Sequence, residues 1–293
     1  MNANAIEIRG LKKSFGHFQL GSVDLTVPQG SIYGFIGPNG AGKTTTLDLI
    51  MGMGDADEGS ISVLGLDHRR DEVAVKRQVA YASPDTNYTA WGKVWKLIRF
   101  VSGFYPSWDE AYCQRLLEKF QVRVEDKIAT LSFGTRVKLG LLLALSWHPK
   151  VILLDEPTAG LDAVAKTEIF SELLAAVQDE ERTVMISSHG LTDLERFADN
   201  IGLIKNGQMV LEGTTSELLD RFQLVDFVAT NGEGFTPREG LIIQKHENDR
   251  WQALVDRRKL SLKTLNGLGA RQLSTTPVTL EDVFVALAGK SIL

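Results

Sequence analysis

The stretch Gly37-Pro38-Asn39-Gly40-Ala41-Gly42-Lys43-Thr44-Thr45 decides the fold of this chain of 293 residues. It matches the phosphate-binding loop pattern, in which a glycine and four further residues precede Gly-Lys-Thr. Glycines let the backbone turn its N–H groups towards phosphate oxygens, at the positive end of a helix expected to begin near Lys43. Lys43 adds a positive charge, and the Thr44 hydroxyl is suited to Mg²⁺. The loop therefore predicts a nucleotide site; the alternative is an ordinary glycine turn.

The residues around the loop predict a strand, a loop and a helix in that order. Runs of β-forming residues cover 5–9, 23–27 and 31–36. After the loop, apolar residues at helical spacing predict a helix over 44–51. Later in the chain, β-type runs at 151–154 and 183–187 are separated by a helical pattern over 163–178. This alternation indicates an α/β fold with a parallel sheet.

A second motif, Val151-Ile152-Leu153-Leu154-Asp155-Glu156, is an apolar strand that ends in two carboxylates. At the tip of such a strand Asp155 can hold the Mg²⁺ shell. Glu156, one residue later, can accept a proton from an attacking water. The alternative is a strand that meets a solvated acidic turn, and the phosphate-loop pattern upstream weighs against it.

Three more segments complete an ordered series of motifs: Leu131 to Thr135, Glu156 to Asp162, and Ser187-Ser188-His189. With the two motifs above, they resemble an ATP-binding cassette (ABC) ATPase over roughly residues 5–220. The resemblance implies a P-loop NTPase (RecA-like) core with an antiparallel β subdomain and a helical insert at about 86–148. It also implies that two copies pair head to tail and hold ATP between them.

The resemblance assigns roles to single residues. Ser132 and Gly134 would contact the γ-phosphate across the dimer, although Ser132 could simply cap its helix. His189 would contact the γ-phosphate and orient the water with Glu156, whereas a lone histidine is more often a surface or capping residue. The implied nucleotide contacts are Phe15, Gly37, Pro38, Asn39, Gly40, Ala41, Gly42, Lys43, Thr44, Thr45, Ser132, Gly134 and Asp162.

Two of these contacts have a distinct implied role. Asp162 would lie at the dimer seam and sense the opposite site. Phe15 occupies the position where an aromatic ring stacks on adenine, and its alternative is a core phenylalanine.

The sequence departs from the usual family pattern in two places. Phe133 and Thr135 replace a glycine and a glutamine of the signature segment. The glutamine expected after Val79-Ala80-Tyr81 is missing, and Asp85 is the substitute that we predict for it. The Asp85 carboxylate could bind Mg²⁺ or the attacking water. The predicted metal ligands are therefore Thr44, Asp155 and Asp85. Both departures look more like type-2 ABC exporter ATPases of bacteria than like nutrient importers.

An aromatic-rich segment begins the helical insert: Tyr88, Trp91, Trp95, Phe104, Tyr105 and Trp108. Trp91, Val94, Trp95 and Ile98 have helical spacing, which predicts one helix with both tryptophans on one face. The resemblance implies that a transmembrane partner docks near this segment, and the alternative is that the rings form the core of the insert.

Residues 1–222 are predicted to form the ATPase domain.

Residues 223–293 are predicted to form a small α+β accessory domain, with a glycine-bearing loop after residue 222, alternating stretches at 241–244 and 251–255, and a final helix over 280–287. A role in dimerisation is a hypothesis prompted by the position of this domain after the cassette.

Composition excludes several functions. The chain has 32 Lys and Arg against 37 Asp and Glu, a formal charge of −5, so bulk charge does not favour nucleic acid as a partner. The longest apolar runs, such as Leu139 to Leu145, are far shorter than the roughly 18 residues of a spanning helix. Cys113 is the single cysteine and is predicted to be inert packing.

These observations lead to one prediction of function. The chain is expected to be the ATP-hydrolysing subunit of a bacterial exporter, peripheral at the cytoplasmic face of the inner membrane and attached through a separate permease. ATP and Mg²⁺ are the expected ligands. The rivals are a soluble ABC ATPase that acts on ribosomes or DNA, and a regulatory subunit with weak ATPase activity.

Overall fold

The computed structural model describes residues 3–178, 182–229 and 238–288. The glycine-bearing loop predicted after residue 222 lies largely outside these residues. Two short 3₁₀ turns, Thr89–Trp91 and Ile128–Thr130, accompany the regular elements. The strands are β1 (Asn4–Phe15), β2 (Phe18–Pro28), β3 (Ile32–Ile36), β4 (Glu58–Val63), β5 (Leu66–Asp67), β6 (Val79–Ala82), β7 (Val151–Asp155), β8 (Thr183–Ser188), β9 (Asn200–Lys205), β10 (Gln208–Thr214), β11 (Phe222–Val228), β12 (Leu241–Glu247), β13 (Arg250–Asp256) and β14 (Arg271–Thr276).

The helices include all those that the sequence predicts near the motifs. They are α1 (Lys43–Ile50), α2 (Glu72–Lys76), α3 (Val94–Ser102), α4 (Glu110–Lys119), α5 (Phe133–Leu145), α6 (Ala163–Gln178), α7 (Leu191–Phe197), α8 (Thr215–Arg221), α9 (Leu262–Gly267) and α10 (Leu280–Ala288). No helix in the described ranges is long and apolar enough to cross a membrane.

The strands form three sheets, which confirms the predicted α/β class. The antiparallel subdomain has the order β2-β1-β4-β5, and the central sheet has the order β10-β9-β3-β8-β7-β6. In the central sheet β3 pairs in parallel with β8 and β9, and β7 pairs in parallel with β6 and β8. All five residues of β7 are buried, because a central parallel strand is covered on both faces.

The register of the central sheet brings the motifs together. Ile36, the last residue of β3, pairs with Ser188, and Asp155 at the end of β7 pairs with Ser187. Parallel strands present their carboxyl ends at one edge, where ligands of open α/β sheets bind. The phosphate loop, Asp155-Glu156 and Ser187-Ser188-His189 therefore share that edge.

The helical insert differs from the prediction in one respect. Trp91 lies in the 3₁₀ turn and α3 begins only at Val94, so one helix carrying both Trp91 and Trp95 is wrong. The physical reason is Gly92, whose φ of 72° ends the turn before the helix starts. Trp91 instead packs on Phe100, with ring centroids 3.9 Å apart.

A buried carboxylate joins the helical insert to helix α6. Glu172 of α6 is fully buried. It accepts hydrogen bonds from the Tyr112 hydroxyl at 2.8 Å, Arg115 at 2.9 Å and Lys119 at 2.6 Å, all on α4. Burial by itself raises the pKa of Glu172, but the hydrogen bonds from Lys119 and Tyr112 and the charges of Lys119 and Arg115 lower it overall. The ionised carboxylate thus fastens α4 to α6.

The last part of the chain forms a third sheet, β12-β13-β11-β14. This sheet has a hydrophobic cluster of its own, which contains Val225, Phe227 and Ala253 of the strands and Leu265 of α9. The final helix, α10, packs differently. Leu280 and Phe284 are buried in the core that the central sheet and the helical insert share, so α10 joins the third sheet to that core.

The Glu172 cluster generates a stability prediction. Glu172→Ala should lower the free energy of unfolding at pH 7 by about 2 kcal/mol, because the Tyr112 hydroxyl and two cations lose a buried acceptor. The lowered pKa means that this stabilisation is present at neutral pH and is lost as the carboxyl protonates. The difference in free energy of unfolding between the wild-type and Glu172→Ala proteins should therefore shrink when the pH falls below about 4.3, the ordinary pKa of glutamate.

Urea unfolding of the wild-type and variant proteins at pH 7 and at lower pH measures this difference. Glu118→Ala, on the exposed face of α4, is the matched control and should change the free energy by less than about 0.5 kcal/mol. A Glu172→Ala effect that does not vary with pH would contradict the assignment.

Candidate functional site

The phosphate loop connects β3 to α1 and needs glycine at two places for steric reasons. A Cβ on Gly37 would lie 2.4 Å from the carbonyl oxygen of Ile204. Gly42 has a φ of 110°, and a Cβ there would lie 2.8 Å from Leu20 Cδ1. Packing on β9 and β2 therefore fixes the loop, with its N–H groups at the start of α1.

Lys43 is the buried cation of the loop, with its residue 6% exposed. Its Nζ donates to the carbonyl oxygen of Gly37 at 2.7 Å and approaches that of Pro38 at 3.3 Å. The same Nζ lies 3.2 Å from Glu156 Oε1. The ammonium is thus held at the centre of the loop, where a phosphate oxygen would replace or join these acceptors.

The other predicted loop residues surround this cation. Ala41 and Gly42 are buried, Pro38 and Thr45 are partly buried, and Asn39, Gly40 and Thr44 are exposed. The exposed tip and the exposed Thr44 leave the loop accessible from the solvent side.

Asp155 lies beside Thr44 and is held from both sides. Its Oδ2 accepts from Thr44 Oγ1 at 2.7 Å, and its Oδ1 accepts from Ser187 Oγ at 2.5 Å. Ser187 Oγ also accepts the backbone N–H of Glu156 at 2.9 Å. The serine therefore fixes Asp155 and Glu156 relative to each other.

Glu156 contacts both Lys43 and His189. Its Oε2 lies 2.7 Å from His189 Nδ1, while Oε1 is buried and meets the Lys43 ammonium without a well-aligned hydrogen bond. Glu156 has a φ of 48°, an unfavourable left-handed conformation for a residue with a Cβ. The structure therefore brings the predicted base, the predicted switch histidine and the loop lysine together.

The electrostatics beside Asp155 fit a divalent cation. The pKa of Asp48, one turn after Thr44, is raised by burial and by the negative charge of Asp155. Burial, Asp155 and Asp48 also raise the pKa of Tyr81, at the end of β6. A cation would relieve this excess of negative charge.

No group of three or more His, Cys, Asp or Glu side chains within the described ranges could hold a metal by itself. That pattern suits Mg²⁺, which is usually bound through one or two protein ligands, phosphates and water.

Asp85, the third predicted metal ligand, lies in the turn after β6 and is exposed. Its backbone N–H donates to Ser83 Oγ at 3.3 Å. Its charge is close enough to Tyr81 to help raise the pKa of that hydroxyl. The turn thus places Asp85 within electrostatic range of the Tyr81 hydroxyl.

The signature segment lies at the start of α5, away from this chain's own loop. Ser132 caps the helix, its Oγ accepting the Thr135 N–H at 3.1 Å, as the capping alternative predicts. A Cβ on Gly134 would lie 3.3 Å from Leu161 Cδ2. Within the part of the chain that the structure describes, no hydrogen bond or ion pair joins Ser132 or Gly134 to residues 37–45.

Phe15 and Asp162 are both exposed. The Phe15 side chain is 47% exposed, so the core alternative for this residue is wrong. The Nζ of Lys13 lies 5.5 Å from the centre of its ring. Asp162 is exposed, and its Oδ1 accepts the Ala165 N–H at 2.8 Å, which caps α6.

The roles of Ser187, Asp48 and Tyr81 were not predicted from the sequence. Ser187 belongs to a motif chosen for His189, yet its own contacts are with Asp155 and Glu156. A polar residue at the end of a buried strand was an available signal for it. Asp48 follows Thr44 by four residues, a helical spacing that places both on one side of α1.

Comparison with known proteins identifies relatives in sequence and in fold. A family model described as ABC transporter matches residues 20–159. The ABC transporter ATP-binding protein YtrB of Bacillus subtilis is 29% identical over 289 residues, covering 97% of this chain and 98% of the relative. The Nod factor export ATP-binding protein I of Burkholderia lata is 32% identical over 302 residues, with 98% of each chain covered. A solved structure described as the ATP-binding subunit of an ABC transporter is 26% identical, has a TM-score of 0.67, and covers 74% of this chain and 92% of its own.

The contacts of Lys43 generate a binding prediction. Lys43→Ala should weaken ATP binding by about 100-fold or more, because charge-assisted hydrogen bonds contribute about 1.5–3 kcal/mol each. Isothermal titration with ATP measures the loss. Lys76→Ala is the control, since Lys76 is exposed and pairs with Glu72 on α2. An affinity for ATP equal to that of the wild type in Lys43→Ala would show that the loop does not bind the nucleotide.

Proposed function

The chain belongs to the ATP-binding proteins of ABC transporters, and on this premise we propose that it powers a bacterial exporter through a separate permease. One observation carries the proposal: the Glu156 carboxylate lies 3.2 Å from Lys43 and 2.7 Å from His189. A carboxylate between a phosphate-binding cation and a histidine can accept a proton from water that attacks the γ-phosphate.

The hydrolysis step uses the residues of this chain in fixed positions. Water attacks the γ-phosphorus, the bond from that phosphorus to the bridging oxygen breaks, and the water proton moves to Glu156. His189 orients the water and Glu156, while Lys43 and the N–H groups of the loop hold the phosphates. Thr44 and Asp155 would hold Mg²⁺, with Asp85 as a proposed outer ligand. The ion would neutralise phosphate charge when bound.

We propose that a second copy completes the site. The amino terminus of α5, a helix of 13 residues, carries Ser132 and Gly134 and has a partial positive charge suited to an anion. In the described residues no hydrogen bond or ion pair joins them to the loop of their own chain, which supports an arrangement in which they meet a phosphate bound to another copy. Asp162 would lie at the seam between the copies, and Phe15 would stack on adenine.

The exposed aromatic residues of the insert support docking of a permease. Phe100 is 44% exposed and Phe104 is 64% exposed, and their rings are in edge contact with centroids 4.9 Å apart. Trp91 packs against Phe100, which makes one aromatic cluster of three rings. Exposed aromatic clusters are typical anchors of protein interfaces. A permease bound here would hold the chain peripherally at the cytoplasmic face of the inner membrane.

The relatives support an exporter. Among them are proteins named for Nod factor export, and the alignments to those proteins and to YtrB include the accessory sheet and α10. We expect the permease to select the transported substrate.

The position of Glu156 generates a kinetic prediction. Glu156→Gln should retain ATP binding and slow hydrolysis by about 10²- to 10⁴-fold, because an amide cannot accept the water proton. The variant should also accumulate as an ATP-bound dimer in size-exclusion chromatography. Glu168→Gln, on the outer part of α6 and paired with Lys138, is the control. Unchanged turnover in Glu156→Gln would refute the assignment of the base.

The aromatic cluster generates a docking prediction. Phe104→Ser should leave the basal ATPase rate unchanged and reduce permease-stimulated ATPase activity by about tenfold, the loss expected when one interface anchor is removed. Val73→Ser is the matched control, because Val73 is 65% exposed on α2 and lies outside the cluster. If the permease in reconstituted vesicles stimulates the ATPase activity of Phe104→Ser as fully as that of the wild type, the permease does not dock on the aromatic cluster.

A further inference from the structure

The final helix of the accessory unit packs on two segments that lead into the nucleotide site. Leu280 is 3% exposed and Phe284 is 2% exposed, and both lie in the core of the ATPase domain. They line a small apolar pocket with Ile36 and Leu191. Ile36 precedes the first glycine of the phosphate loop, and Leu191 follows His189 by two residues. The buried face of α10 therefore lies in one apolar cluster with the last residue of β3 and the first residue of α7.

The helix α7 is the direct continuation of the segment that carries His189. It begins at Leu191 after the N-cap Gly190 and has only seven residues. At its start, Ser188 Oγ donates to the Gly190 carbonyl oxygen and accepts the Gly190 N–H, both at 2.9 Å. A helix of two turns has little stability of its own, so its position is set by the groups that contact it.

A hydrogen bond joins the far end of α7 to α10. Glu195 Oε2 accepts the backbone N–H of Leu280 at 2.7 Å. Leu280 is the first residue of α10, and the N–H groups of a first helical turn have no partner within the helix. A carboxylate at this end is also favoured by the partial positive charge of the helix terminus.

Two neighbouring N–H groups at this terminus are bonded by a reciprocal pair of side chains. Thr279 Oγ1 accepts the Asp282 N–H at 3.1 Å, and Asp282 Oδ2 accepts the Thr279 N–H at 2.8 Å. This reciprocal pair is a capping box. The N–H of Leu280 is bonded from outside this pair, by Glu195 of α7.

On its other side α10 packs on the accessory sheet. Val283 and Leu287 belong to a cluster with Phe222 and Leu254 of that sheet. Gln244 Nε2 of β12 also donates to the carbonyl oxygen of Asp282 at 3.4 Å. Helix α10 therefore links the accessory sheet to α7, and α7 follows His189 directly.

We propose that α10 positions the switch histidine through the Glu195–Leu280 contact, so that the accessory unit sets how well His189 is held on Glu156. The inference rests on the hydrolytic role proposed for His189. Glu195, Leu280 and Phe284 are positioning residues, since none of them contacts the loop lysine or Glu156. Loosening α10 releases α7, and His189 then spends less time within hydrogen-bonding distance of Glu156. Nucleotide binding through Lys43 is unaffected.

The first test removes the acceptor. Glu195→Ala in the full chain should lower kcat about tenfold, a change of about 1.4 kcal/mol in the barrier, with KM for ATP and Kd for ADP within about twofold, since positioning acts on turnover alone. Glu195→Gln should restore kcat, because its amide oxygen still accepts the N–H of Leu280. Glu281→Ala is the matched control, since Glu281 is exposed on the same first turn of α10.

The second test removes the donor. Leu280→Pro eliminates the N–H at a position where helices tolerate proline, and Leu280→Ala keeps the N–H while shortening the side chain. The proline variant should lower kcat more than the alanine variant. The imidazole NMR signal of His189, identified by its absence in His189→Gln, should shift in Glu195→Ala and Leu280→Pro and keep its wild-type position in Glu195→Gln.

The outcomes separate this inference from the proposed function. Slow hydrolysis in His189→Gln together with wild-type kcat in Glu195→Ala would overturn the inference and leave the proposed function standing. Wild-type hydrolysis in His189→Gln would refute the switch role itself. In that case the NMR signal still decides whether α10 positions His189, and an unmoved signal in Glu195→Ala would overturn the inference.

Discussion

The structure depends on the contact of one carboxylate with two groups that come from distant parts of the chain. Glu156 reaches Lys43 from the end of β7 and His189 from the end of β8, and it does so because β3, β7 and β8 run in parallel with matched ends. Lys43 neutralises the carboxylate from one side, while the histidine bonds it from the other. If the register of one strand changed, Lys43, Glu156 and His189 would no longer be in contact.

Maintaining this contact has a structural cost, which the surrounding hydrogen bonds offset. Glu156 adopts a left-handed backbone conformation that is unfavourable by about 1–2 kcal/mol for a residue with a side chain. Its N–H is held by Ser187, which also holds Asp155, and Asp155 in turn accepts from Thr44. Strained residues persist where the neighbouring structure fixes them, and such positions are common at catalytic sites. The left-handed turn directs the carboxylate of Glu156 into the site and away from the strand.

The sequence could predict the centre of the site because each motif has a local physical reason. The loop glycines, the buried run of β7 and the polar ends of β7 and β8 are all evident in short stretches of sequence. Features that depend on distant contacts could not be predicted in the same way. Strands β9 and β10 were missed, Trp91 was placed in a helix that Gly92 prevents, and the burial of Glu172 by cations of α4 has no signal within α6. The packing of α10 on α7 also arises only when the accessory sheet is in place.

We propose that two copies share each ATP, and the dependence of ATPase activity on protein concentration distinguishes this arrangement from a monomeric ATPase. The rate per chain, measured at saturating ATP and Mg²⁺ over several decades of protein concentration, should rise with concentration and level off once dimers predominate. Analytical ultracentrifugation on the same samples should show the dimer appear over the same range. A rate per chain that stays constant while the protein sediments as a monomer throughout would contradict the account.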